Sequence, residues 1–510
     1  MKKSIILFLF ILSLLSCNSD SDDPAEEVVV PDDAIAPKIS YSTPPEVVET
    51  KSTIEISLED ASQVNTRIYL EDALISESNA KSISLEIDPF DYSSGNKTLR
   101  IVSTDAQGNE SIDEIDFELK KLLFSLPNPV SDYRLKDHFL AVHFNDGKLH
   151  KAIRVETDED GDFYAEDGFE RQDFTVTLFY ITDDPRSNYN FIYSYADIQP
   201  GTVLLSSTEK YDLFNLGNLP SGSVNVIDMN DIANPYIVGY NGHLRPDAQS
   251  SYVFNYYYNA EWKYFLYSLP DSGEIKTDYS YMVMTDPERT QYSQADLLKP
   301  EAFTEIQFPN LPGSGLAIEG YATEEDYTKN RFHVTLSIPG IWVSNESLDI
   351  PLFPDLFETY NLTFSYTPDD KTRFSSRQKG LDKQIPVNEF DISKSGDRIS
   401  LSGDHDYSRF RLIYSVNGPN TFNFFEWTFH QRKAQEVVMS MENFEIPAEI
   451  VTIFEQRNIE TKPSQINQGY NFEFYAYKHS ESIRYENLFF GNDYTKNEAG
   501  DVHWLTYDLR

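Results

Sequence analysis

The sequence predicts an all-β chain of sandwich domains in series, and three observations predict it. Apolar residues recur at every second position, as in half-buried antiparallel strands: Ile54, Ile56 and Leu58, then Ile83, Leu85 and Ile87, and far downstream Phe332, Val334 and Leu336. Pro, Gly, Asn and Asp punctuate these runs at short intervals, the spacing expected of turns between strands. Helical periodicity is confined to brief stretches at 294–298 and 434–441. With 40% hydrophobic and 14% aromatic residues the chain can fill cores, and its 510 residues allow roughly two to four domains.

Charge removes one class of partner. The chain has 42 Lys and Arg against 83 Asp and Glu, a net charge of −41, so a nucleic-acid backbone is excluded as a partner. The single cysteine, Cys17, leaves no intramolecular disulfide and no cysteine-based zinc or iron–sulfur site.

Taken in order, residues 1–16 read as a signal peptide. Lys2 and Lys3 precede an apolar run from Ile5 to Leu15 that is shorter than the ~20 residues a spanning helix needs. The run ends in Leu14-Leu15-Ser16-Cys17, which resembles the lipobox of bacterial lipoproteins, and the resemblance implies that Cys17 becomes a lipidated first residue. Next come Asn18-Ser19-Asp20-Ser21-Asp22-Asp23, where Ser21-Asp22-Asp23 resembles the export signal of surface lipoproteins in Bacteroidota. That resemblance implies an outer-membrane protein, lipid-anchored and facing the cell exterior. The same residues also read as a plain acidic tether, and 17–37 is a linker in either case.

Residues 38–121 carry successive alternating runs. Gly95-Asn96-Lys97-Thr98-Leu99-Arg100-Ile101, leading into Asp105-Ala106-Gln107-Gly108-Asn109 and a last strand, resembles the closing hairpin of bacterial immunoglobulin-like domains. The resemblance implies an immunoglobulin-like sandwich. Leu126-Pro127-Asn128-Pro129 cannot continue a central strand and sets a boundary near 122–132. Two or more further β-sandwich domains are expected beyond it, divided as 132–330 and 331–510. The division rests on a loose echo of Phe214-Asn215-Leu216-Gly217-Asn218-Leu219-Pro220 in Phe308-Pro309-Asn310-Leu311-Pro312.

Chemistry is sparse. The sequence contains no nucleophile elbow, zincin helix, P-loop or dinucleotide fingerprint. His138 and His143 point to opposite faces of one strand, and Asp404-His405-Asp406 reads as an acidic turn. The run from Glu156 to Asp162 places Asp158, Asp160 and Asp162 at alternate positions with Gly161 at the bend and Asp167 closing. Hard Ca²⁺ takes such oxygen ligands, so the loop reads as a calcium site or as an acidic hairpin tip. No other cofactor is expected. A pair of catalytic carboxylates cannot be chosen among 83.

Aromatic strands give the candidate binding site. Tyr252, Phe254, Tyr256 and Tyr258 share one face of a strand, and after a turn Trp262 and Tyr264 are expected on its hairpin partner. Tyr256, Tyr258, Trp262 and Tyr264 then read as a platform for sugar rings, or as packed core. The layout resembles that of glycan-capturing surface lipoproteins in Bacteroidota. The resulting expectation is a non-catalytic surface lipoprotein that binds an extracellular glycan, with a structural or adhesive protein, or a secreted hydrolase, as alternatives.

Overall fold

The computed structural model describes residues 34–126, 137–155, 161–182, 187–204 and 501–510. Between 221 and 480 it describes the strands named below together with segments 289–296, 298–307, 314–328, 347–354, 356–381, 384–395, 398–417 and 440–467. The chain divides into two compact units, Met1–Ile87 with Gly95–Leu119, and Asp88–Ser94 with Lys120–Arg510. The first unit therefore ends ahead of the expected break at the prolines.

Eight strands build the first unit: β1 (Lys38–Tyr41), β2 (Val47–Val48), β3 (Ser52–Glu59), β4 (Val64–Leu70), β5 (Ala73–Ser78), β6 (Ser82–Ile87), β7 (Gly95–Asp105) and β8 (Glu110–Leu119). They form two sheets, β1-β3-β6 and β2-β8-β7-β4-β5. Alternation turns Ile54, Ile56, Ile68, Leu99 and Ile101 inward, each almost wholly buried. The closing hairpin forms because the Asp105 carboxylate accepts from the backbone N–H of Gln107 and Asn109, while Gly108 takes the positive φ of 91° that the turn needs. This is the expected immunoglobulin-like sandwich.

The second unit opens with β9 (Leu122–Leu126), β10 (Asp137–His143), β11 (Leu149–Val155), β12 (Gly161–Tyr164), β13 (Phe174–Ile181), β14 (Ser187–Ile198) and β15 (Thr202–Val203). An excursion follows: β16 (Ser221–Ile227), β17 (Pro235–Val238), β18 (His243–Pro246), β19 (Tyr252–Tyr257), β20 (Tyr264–Ser268), β21 (Ser280–Met284) and β22 (Gln291–Ser293). The chain then returns through β23 (Ala302–Gln307), β24 (Gly315–Tyr321), α1 (Glu324–Thr328), β25 (His333–Thr335), β26 (Ile341–Trp342), β27 (Ser347–Leu352), β28 (Thr359–Tyr366) and β29 (Thr372–Lys379). It closes with β30 (Asp391–Ser395), β31 (Arg398–Ser402), β32 (Tyr407–Asn417), β33 (Phe422–Arg432), β34 (Glu436–Val438), α2 (Ala448–Gln456), β35 (Tyr470–His479) and β36 (Val502–Asp508). The protein is all-β, and no helix among the described residues is long and apolar enough to cross a membrane.

The expected cut between 330 and 331 needs correction. One 13-stranded sheet runs β11-β10-β13-β14-β33-β32-β35-β36-β29-β28-β24-β25, with β26 also on β24, so it takes strands from both sides of that cut. The cut is crossed by the parallel pair β14/β33, in register from Ser187↔Phe422 to Tyr195↔His430, and by the antiparallel pair β24/β28, from Gly315↔Ser365 to Tyr321↔Thr359. Both strands of the parallel pair carry residues that an edge would expose: Ile192 on β14, and Phe425 and Trp427 on β33, are 0% accessible. The excursion strands pair only with one another among the described residues, as β18-β19-β16-β22 and β17-β20-β21. The further β layers are thus one sheet shared across the unit plus smaller sheets.

Each face of the large sheet meets its own cover. On one face Phe139, Phe179, Trp427, Phe474 and Leu505 pack under Phe444 and under Ile450 and Phe454 of α2. On the other, Leu140, Val142, Leu178, Tyr195, Tyr477 and Val502 pack under Leu123, Phe124 and Leu126 of β9. Past Tyr195, Tyr477 and Val502 along their strands, this second face becomes half-exposed.

Candidate functional site

The half-exposed part of the second face is where the described residues bring polar and aromatic side chains together. Period-two alternation puts Trp504, Thr506 and Asp508 on this face of β36 while Leu505 enters the opposite core. Antiparallel register then aligns a row across the strands: Asp508 opposes Glu473, which opposes Arg411, which opposes Thr428. The parallel pair continues the row from Thr428 to Tyr193.

At the β36 end lies an open groove of ≈ 450 Å³, lined by Trp504, Thr506, Asp508, Arg373, Ser375 and Glu473 among others. Arg510 holds Asp508 by two short bonds, Nε to Oδ1 at 2.9 Å and Nη2 to Oδ2 at 2.6 Å. That hydrogen bonding, with the guanidinium charge behind it, keeps the Asp508 carboxyl below the usual carboxylate range. Asp508 is therefore an acceptor at neutral pH and not a proton donor. Glu473 accepts from the Tyr475 hydroxyl, and Arg409 lies 4.2 Å over the Tyr475 ring. Arg373 is exposed and donates to Ser365 Oγ at 3.1 Å.

At the β14 end aromatic rings take over. Tyr189, Phe191 and Tyr193 follow one another at strand period, with centroids 6.1 Å apart and planes within 2° and 11° of parallel. Phe424 of β33 approaches Phe191 at 5.7 Å, and Tyr189 is 41% exposed. Between the two ends, Arg411 clasps Glu426 with both arms, Nε to Oε1 at 2.8 Å and Nη2 to Oε2 at 3.1 Å.

The residues singled out from sequence fall elsewhere. The expected hairpin between the Tyr252 and Tyr264 strands does not form: β19 pairs β16 and β18, whereas β20 pairs β17 and β21. Tyr256 and Tyr264 thus belong to different sheets. The connection between them is long enough to carry the chain from one sheet to another, where a tight two-residue turn would have forced a hairpin. Tyr258 and Trp262 lie outside the described residues, as do Asp158, Asp160 and Cys17. Asp162 is exposed on β12, and the Asp167 carboxylate accepts from the backbone N–H of Ser94 at 3.1 Å. In the Asp404-His405-Asp406 turn, Asp406 Oδ2 accepts from the His479 backbone N–H at 2.7 Å. Among the described residues no cluster of three or more His, Cys, Asp or Glu has the arrangement of a metal site.

The Tyr189-Phe191-Tyr193 alternation carries the same signal in the sequence as Tyr252-Phe254-Tyr256. Trp504 was findable in principle, as a tryptophan on the polar face of the Val502–Asp508 alternation.

No protein-family model matches the chain, and no curated protein matches it. Solved structures with some likeness include fibronectin(III)-like modules of Clostridium thermocellum CbhA, at 12% identity over 32% of this chain and 92% of that one, TM-score 0.17. Another is the Bacteroides ovatus mixed-linkage glucan utilization locus SGBP-B in complex with a mixed-linkage heptasaccharide, at 12% identity over 63% and 93% of the two chains, TM-score 0.15. A bacterial ice-binding adhesin involved in host cell surface retention is similar at 8% identity over 78% and 98%, TM-score 0.15. At these values none of the likenesses bears on what this chain binds, and the fold class rests on its own sheets.

Proposed function

We propose that the protein is a surface lipoprotein, anchored through Cys17, which binds an extracellular carbohydrate in the Trp504 groove without altering it chemically. The observation that carries the reading is the groove's composition: a half-buried indole ringed by carboxylate acceptors, an exposed guanidinium and the hydroxyls of Ser375 and Thr506. A sugar offers an apolar ring face and a rim of hydroxyls, and this lining answers both. Asp508, kept ionised by Arg510, supplies no acid for glycoside cleavage.

The test is binding of the mature chain to immobilised polysaccharides: mixed-linkage glucan, xylan, mannan and an acidic pectin. Trp504→Ala is expected to weaken binding by about 1–3 kcal/mol, roughly five- to 150-fold, with a lowered but still cooperative melting curve because the indole also packs against the buried core. Undiminished binding by this variant would overturn the site. The anchor is checked separately: Cys17→Ser should shift the protein from the membrane fraction to the soluble one. A variant that stays with the membrane sinks the lipoprotein reading.

A further inference from the structure

We infer that the glycan of the Trp504 groove carries carboxylates, as a chain of uronic acid residues does, and that Arg373 binds the carboxylate of the sugar stacked on the indole. This rests on the carbohydrate reading above and names the class of sugar the groove takes.

The sheet sets the geometry. Between β29 and β36, Ser375 opposes Trp504 and Arg373 opposes Thr506. Opposed residues share a face of the sheet, as do alternate residues of one strand, so Arg373 and Trp504 are diagonal neighbours on one face, about 7–8 Å apart. The guanidinium also leans the right way. Its Nη2 donates to Ser365 Oγ at 3.1 Å, and Ser365 opposes Ser375, so the bond draws the charge into the row that ends in the indole. The two serines in that row are small and bury their own side chains, which leaves the ring of Trp504 and the fork of Arg373 as the large groups beside each other.

The charge of Arg373 has no internal answer. Among the described residues its hydrogen bond goes to a neutral hydroxyl and no carboxylate pairs with it, in a chain of 83 Asp and Glu against 42 Lys and Arg. Neighbouring groups are engaged: Asp508 with Arg510, Glu473 with the Tyr475 hydroxyl, and Lys371 Nζ with the backbone oxygen of Arg510 at 3.0 Å. Lys371, Arg373 and Arg510 balance Asp370, Glu473 and Asp508, so the groove is locally neutral in a protein of net charge −41. A carboxylate there escapes the repulsion it meets elsewhere, and a guanidinium with most of its donors unspent offers it two parallel bonds. One cation suits one charge per sugar ring. A densely sulfated chain would bring further charge against Asp370 and Glu473.

The experiment is calorimetry of the mature chain with oligosaccharides of galacturonate, glucuronate and mannuronate, each beside its carboxyl-reduced counterpart. Reduction keeps linkage and ring stereochemistry and replaces the carboxylate by a hydroxymethyl group. For the linkage that binds, reduction should lower affinity about tenfold or more, the scale of losing a charge-assisted pair of bonds. Arg373→Gln should lower affinity for the acid by the same factor and leave the reduced form within about twofold, as two changes to one contact must. Arg373→Lys should recover only part, because an ammonium cannot fork. Melting curves check that both variants fold, and sulfated dextran serves as the competing anion.

Acidic forms that bind no tighter than their reduced counterparts, or a difference that persists in Arg373→Gln, overturn the inference, while the carbohydrate reading stands if Trp504→Ala still weakens binding. Tighter binding of sulfated dextran than of every uronate overturns the carboxylate. Binding of no glycan, or binding unaffected by Trp504→Ala, overturns the carbohydrate reading itself and this inference with it.

Discussion

His143 sits in the core with its ring tilted by 35° against that of Phe444, centroids 3.9 Å apart. Its Nε2–H donates to the Glu445 carbonyl at 2.7 Å, and Thr177 Oγ1 lies 3.5 Å from Nδ1. The chain continues from Thr177 to Ser194 Oγ at 3.0 Å, which accepts from Trp427 Nε1 at 3.1 Å. A carbonyl can only accept, so Nε2 carries a proton. Burial lowers its pKa to about 4, against the raising effect of the Glu445 bond. The unfolded chain takes up this proton near 6.5 and the folded chain only near 4, so stability falls as pH drops through that window. The group's full contribution is roughly 3 kcal/mol, present above pH 6.5 and gone below pH 4. Denaturant melts at pH 7.5 and 5 should therefore differ more for the native protein than for His143→Phe. An equal pH dependence in both would show that His143 is not the group responsible.

At the scale of the element, β24 illustrates how close packing restricts a single position. A Cβ at Gly320 would lie 2.8 Å from Phe357 ring carbons, and that ring is itself wedged against Phe353 and Tyr360. Gly320→Ala should cost about 1–3 kcal/mol by overpacking. Gly161→Ala, where nothing lies within 4 Å, should stay within about 0.5 kcal/mol in the same urea titration. Equal stabilities for the two variants would mean that the Phe357 ring gives way. Strands β19 and β20 make a complementary point. Their aromatic alternation is legible in the sequence, but alternation states only that a strand has two faces, and the partner strand decides which surface those faces build.

At the scale of the whole molecule, the parallel pairing of β14 with β33 ties residues 187–195 to residues 422–430. A fragment ending at residue 330 would leave β14 as an edge and strip Ile192 of its cover by Phe444 and α2, whereas the first unit has its own two-sheet core. Fragment 34–121 should therefore melt cooperatively and fragment 122–330 should not, as followed by circular dichroism. A cooperative melt of fragment 122–330 would refute the shared sheet as a folding unit.

Local chemistry determined much of this protein. Alternation of Ile54, Ile56 and Leu58 fixes which face of β3 is inward, Asp105 and Gly108 fix the turn between β7 and β8, and the shortage of helical period fixes an all-β chain. These are interactions between residues near one another in sequence, so they can be read along it. Only the tertiary structure decided that strands on either side of residue 330 share one sheet, and that Asp508, Arg411 and Tyr193 stand in one row. Strand pairing over more than 200 residues depends on which edges would otherwise be left exposed, a property of all the strands together. No stretch of sequence holds it alone.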